Sequence, residues 1–101
     1  MLLRAVALLI LLIAAACGPQ PHPGMWGGDR TDIRRDGRQY TIWQKGDRVE
    51  VIRLGWANPG EHQAIRATMI ALIPEVTGCR LNERSLQGDS GEMRAKLRCP
   101  D

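Results

Sequence analysis

CRLNERSLQGDSGEMRAKLRC, residues 79–99, decides the fold. A hairpin centred on Asp89 sets Leu81 opposite Leu97 and Cys79 opposite Cys99. The second strand then alternates, with Met93, Ala95, Leu97 and Cys99 on one face and Glu92, Arg94, Lys96 and Arg98 on the other. Directly opposed residues of a non-hydrogen-bonded antiparallel pair stand about 4.5 Å apart at Cα, within disulfide reach. The turn and the cysteine spacing explain each other, so a Cys79–Cys99 bridge is expected. Closing a loop of that length contributes on the order of 3 kcal/mol in the chain-entropy view.

The centre of this stretch, Gly88-Asp89-Ser90-Gly91, has the letters that surround the nucleophilic serine of chymotrypsin-like proteases. Serine catalysis needs a base within hydrogen-bond reach and donors for the oxyanion. The chain holds two histidines, His22 in a Pro/Gly-rich segment and His62 at a helix start with no recognisable partner. Glu92 follows where GDSGGP would continue, and the chain is far too short for two β-barrels. Gly, Asp and Ser are also turn residues by chemistry. Ser90 is read as a turn residue and no catalytic residue is assigned.

Upstream, Asp36-Gly37 is a favoured two-residue hairpin turn, pairing Arg35 with Arg38 and Ile33 with Tyr40. A second turn lies in Lys45-Gly46-Asp47. Tyr40, Ile42, Val49 and Val51 then share one face by the period of two, while Arg34, Gln39, Thr41, Arg48 and Glu50 point to the wet side. Asn58, Pro59 and Glu61 form a helix-start signature. Ile65, Met69, Leu72 and Ile73 make one apolar stripe, with Pro74 marking the end. The expected fold is α+β: a small antiparallel sheet with one helix on one face, in the order β-β-β-α-β-β.

The N-terminus has a separate logic. MLLRAVALLILLIAAAC carries one positive charge, an apolar run of twelve residues and then small residues before Cys17. That is the layout of an export signal, and the run is shorter than the roughly 20 residues a bilayer span takes. Ala14-Ala15-Ala16-Cys17 resembles the lipobox of bacterial lipoproteins, with alanine at the first position where leucine is usual. The resemblance covers residues 1–17 and implies a diacylglycerol thioether on Cys17 and removal of a signal peptide, residues 1–16. An ordinary secretory cleavage at the same bond is the alternative. Lipidation would use the odd cysteine of three and leave Cys79 and Cys99 to pair. Gly18 carries none of the aspartate signal that opposes outer-membrane sorting in Gram-negative bacteria, so the resemblance implies the periplasmic face of the outer membrane.

Residues 17–28 are expected to be a lipidated cysteine with a Pro/Gly-rich tether, an unspecific spacer reaching roughly 30 Å if extended. Residues 29–101 then form a single small domain, lean in core because the chain has no phenylalanine. That domain is similar to small Gram-negative envelope lipoproteins as a class.

Net charge is +3, with twelve arginines and two lysines. Arg34, Arg38, Arg48, Arg94, Lys96 and Arg98 are candidates for a basic patch facing an anionic lipid or an acidic envelope protein; a solvated face diluted by Glu50 and Glu92 is the plainer alternative. Two histidines and a paired cysteine set make no metal site. No phosphate-cradling loop, and hence no cofactor, is indicated, since Gly27-Gly28 lacks the following lysine and helix. An exported chain has no access to nucleic acid. The expected function is a membrane-anchored, non-catalytic binding or envelope-assembly role. The alternative is a small inhibitor or ligand binder, comparable in size and disulfide use to lipoprotein inhibitors of lysozyme.

Overall fold

A computed structural model of the chain describes residues 20–100. The expected signal peptide, residues 1–16, and the expected lipid site Cys17 lie outside the described residues. The elements are a 3-10 turn at Pro23–Met25, then β1 (Asp29–Arg35), β2 (Arg38–Lys45), β3 (Arg48–Leu54), α1 (His62–Thr77), β4 (Arg80–Gly88) and β5 (Glu92–Arg98). The five strands form one antiparallel sheet in the order β1-β2-β3-β5-β4. No described helix is long and apolar enough to cross a membrane.

Both early hairpins have the expected register. Arg35 pairs with Arg38 and Ile33 with Tyr40 across Asp36-Gly37, where both residues have positive φ (53° and 77°). That combination matches the twist of the flanking strands. Lys45 pairs with Arg48 across Gly46-Asp47.

The core lies between the helix and one face of the sheet. Tyr40, Ile42, Val49, Val51, Met93, Ala95 and Leu97 meet Ile65, Met69, Leu72 and Ile73, all buried. Arg35 forms a two-pronged pair with Glu75 (2.5 and 3.0 Å), and Arg38 pairs with Glu61 at the same rim.

The helix is displaced from its sequence signals. Gly60 takes φ 93°, which breaks the turn that Asn58 and Pro59 would have opened, and α1 starts at His62. The Glu61 carboxylate still accepts from the Asn58 N–H at 3.1 Å, so half of the capping box survives one turn early. At the far end Pro74 lies inside α1. It removes one donor to the preceding turn, yet Ile73 remains fully buried and the helix runs on to Thr77. Gly78 ends it in the left-handed region, donating to Pro74 O at 2.9 Å.

The last hairpin holds its expected register only at the cysteine end. Leu81 pairs with Leu97, and the Cys79–Cys99 disulfide closes with its Cα atoms 4.3 Å apart. Beyond Asn82 the pairing slips: Asn82 faces Lys96 but Gln87 faces Arg94, so five steps along β4 match two along β5. The excess bulges at residues 83–86, and the turn is centred past Asp89 rather than on it. Ser85 holds the bulge, its hydroxyl donating to Asn82 O (2.6 Å) and accepting from Lys96 N (2.8 Å).

The outer face of the sheet is where expectation and structure part most. Thr41 and Glu50 have the outward parity, yet they are 0% and 2% exposed. Thr41 Oγ1 donates to Asp32 Oδ1 on β1 at 2.8 Å, and over Glu50 the cause is the segment expected to be a spacer. Residues 20–28 fold back over β2 and β3, burying Met25 to 4% exposure. His22 N–H donates to Glu50 Oε1 at 2.8 Å, and Lys45 Nζ donates to Trp26 O at 2.9 Å. At Gly28 a side chain would stand 2.6 Å from the Gln44 carbonyl oxygen, so only glycine allows the arm this close to β2.

Candidate functional site

Between the folded-back arm and the sheet lies a cleft of about 230 Å3. His22, Gly24 and Met25 form one wall, Arg48, Arg94 and Lys96 the floor on β3 and β5, and Ser85 of the bulge with Gln87 just past it the other wall. Strand pairing explains the convergence, because Arg48 is directly opposite Lys96 and Glu50 opposite Arg94. Without the slip in β4 the second wall would not stand over β5.

Acidic groups sit to one side of this floor. Arg94 Nε approaches Glu92 Oε1 at 2.9 Å, although neither atom is aligned for a hydrogen bond. Burial pushes the Glu92 carboxyl up to about 7; its hydrogen bond to Glu50 adds to the rise and the Arg94 charge opposes it. Glu92 therefore holds its proton to a higher pH than an ordinary glutamate, which weakens the negative charge beside Arg94. Glu50 accepts from the His22 N–H. Arg48, Lys96 and Arg98 have no carboxylate partner among the described residues.

The basic patch expected from the sequence is thus reduced and relocated. Arg48, Arg94 and Lys96 come together, with Arg98 next along β5. Arg38 does not join them; its parity is that of Tyr40, and it turns to the helix side to pair with Glu61. Arg34 is outward on the edge strand β1, opposite Gln39, at the end of the sheet away from Arg48 and Lys96.

A second constellation was not visible in the sequence. His62 Nδ1 stands 2.5 Å from Ser90 Oγ, and Arg53 donates to Ser90 O at 2.9 Å. Arg53, His62, Gln63, Arg66 and residues 88–91 surround a shallow hollow there. The expectation that His62 has no partner is wrong, because α1 starts one turn later than its signals and thereby brings His62 to the turn. A base and a hydroxyl are therefore in place. The remaining parts are not assembled. Asp89 Oδ1 accepts from the N–H groups of Gly91 (2.8 Å) and Glu92 (3.3 Å), which holds its carboxyl below the ordinary range and occupies the amides nearest Ser90. Among the described residues no carboxylate bonds the other ring nitrogen of His62. Ser90, 9% exposed, is a turn residue that ties the last hairpin to the start of the helix.

No three histidine, cysteine or carboxylate side chains among the described residues are grouped to hold a metal ion. Comparison of the chain with protein-family models, with curated proteins and with solved structures finds no match.

Proposed function

We propose that this chain is a lipid-anchored, non-catalytic binding or assembly module of the bacterial cell envelope, held through Cys17 at the periplasmic face of the outer membrane. The observation that carries the binding role is the cleft floor, where Arg48 and Lys96 converge beside Arg94 without ion-pair partners of their own among the described residues. Uncompensated cations at a concave surface suit an anionic group. The lipobox-like Ala14-Ala15-Ala16-Cys17 supports the anchor, and the small disulfide-closed domain fits an oxidising compartment. Among the described residues, Ser90 and His62 have neither the orienting carboxylate nor the free oxyanion donors that acyl transfer uses.

Three experiments test this reading. Globomycin should accumulate the uncut precursor, and labelled palmitate should enter the mature protein; normal processing to a soluble product contradicts the anchor. Fluorophosphonate labelling of Ser90 contradicts the non-catalytic role. Retention of a glycan hydrolase from envelope extracts, lost in an Arg48→Ala/Lys96→Ala variant, would turn the reading to the inhibitor.

A further inference from the structure

The folded-back arm changes where the domain sits relative to its anchor. An extended residue spans at most about 3.6 Å, so the three steps from Cys17 to Gln20 reach roughly 11 Å. Gln20 lies on the outer face of the sheet, in a hollow shared with Pro21, Trp26, Gly27, Arg30 and Trp43. From there the chain runs across β2 to His22, bonded to Glu50 of β3. A lipid on Cys17 is therefore attached to the outer face itself, at short range, and not at the end of a 30 Å spacer.

What that face presents fits a bilayer surface. Trp26 is 61% exposed beside the point where the chain leaves the domain. An indole of this kind, with an apolar ring and a polar edge, partitions to the headgroup level of membranes. Arg48, Arg94, Lys96 and Arg98 lie on the same face, and Arg48, Lys96 and Arg98 have no carboxylate partner among the described residues. The opposite side of the molecule differs: at the helix rim Arg35 and Arg38 are neutralised by Glu75 and Glu61.

We infer that the outer face of the sheet is a membrane-docking surface, laid flat on anionic phospholipid headgroups with Trp26 at the interface and Arg48, Arg94, Lys96 and Arg98 over the phosphates. The inference rests on the lipid anchor proposed above and names what the cationic face meets. An acidic protein partner would be met by the same charges, but it would not explain an exposed tryptophan beside an anchor within about 11 Å.

The test uses the full lipidated protein reconstituted in vesicles of phosphatidylcholine, alone or with one quarter phosphatidylglycerol, and lipids brominated near the headgroup as quenchers. Tryptophan quenching should be strong with phosphatidylglycerol and weak without it. It should fall at 1 M salt, where the screening length is about 3 Å, and drop in Trp26→Phe to what Trp43 in the neighbouring hollow and Trp56 contribute. A surface cation is worth roughly a fivefold change in membrane partition, so Arg48→Ala/Lys96→Ala should lower the docked-to-undocked ratio by roughly 25-fold. Quenching equal in both vesicles, or absent from both, overturns the inference. So does an Arg48→Ala/Lys96→Ala variant that keeps its quenching but loses a cross-linked envelope protein. The mass of the N-terminal peptide separates the two proposals. If Cys17 carries no lipid the anchor reading fails, and the same protein is then added to the vesicles from solution. Salt-sensitive flotation with phosphatidylglycerol still supports the face; no flotation overturns it.

Discussion

The two faces of the sheet obey the same alternation and are used differently. On the inner face the apolar positions of β2, β3 and β5 meet the helix stripe, and the cations at the rim are paired off by Glu61 and Glu75. On the outer face a short arm covers Glu50, while Arg48, Lys96 and Arg98 stay unpaired among the described residues. The inner face is closed on itself. The outer face is only half closed, and its remaining charge asks for a partner. Parity along a strand thus decides which side a residue takes; coverage decides whether it is buried.

The largest expected contrast is in packing. Leu72→Ala on the inner side should cost about 2–5 kcal/mol, enough to threaten a domain whose whole stability is typically about 5–15 kcal/mol. Met25→Ala beneath the arm should cost about 1–2 kcal/mol, because the arm can settle into the vacated space and cavity cost depends on such collapse. Urea unfolding of both variants checks this. Equal losses would mean that the arm is as much a part of the core as the helix.

Next comes the staple. Cys79→Ser or Cys99→Ser should cost about 3 kcal/mol through the loop that the bridge closes, seen as a sharply lowered Tm. Non-reducing peptide mapping should find the two cysteines joined within one chain; free thiols at both would contradict the register of the last hairpin.

Ser90→Ala comes third. A plain turn serine would cost a few tenths of a kcal/mol at most, but removing the Oγ that meets His62 should cost about 1 kcal/mol. A change within error would reduce the His62 contact to a passing one.

A further effect is a pH dependence confined to the outer face. The Glu92 carboxyl is raised from an ordinary 4.5 to about 7. Across that window the folded chain keeps a proton that the unfolded chain has released. Stability should therefore fall as pH rises from 4.5 to about 7, then level off. Asp32, Glu75 and Asp89 are shifted downward, so they act only at more acid pH. Glu92→Gln should remove the slope; a wild-type Tm that is flat between pH 4.5 and 7 would contradict a protonated Glu92.

Much of the fold was legible because it is local. Asp36-Gly37, the alternation of β2, β3 and β5, the stripe from Ile65 to Ile73 and the spacing of Cys79 and Cys99 each depend on a few neighbouring residues. What was hidden is non-local. His22 meets Glu50, and His62 meets Ser90, each across 28 positions, with no pattern linking them. The bulge in β4 was masked by a register that holds at both cysteines. The arm carried one usable signal, the apolar pair Met25-Trp26 after a Pro-Gly turn, but Pro and Gly are as common in spacers. Of the expected basic patch, parity alone would have removed Arg38, which shares its side with Tyr40.

The account stands on the outer face lying against the bilayer while the helix faces away. Nitroxide labels at Gln87→Cys, opposite Arg94 on the outer face, and Ala67→Cys on the exposed side of the helix, both in the lipidated protein on phosphatidylglycerol-containing vesicles, measure this directly. Power saturation against a headgroup-bound nickel chelate should show position 87 at headgroup level and position 67 beyond its reach, a full thickness of helix and sheet away. Equal accessibility at the two positions, or position 67 nearer the chelate, would contradict it.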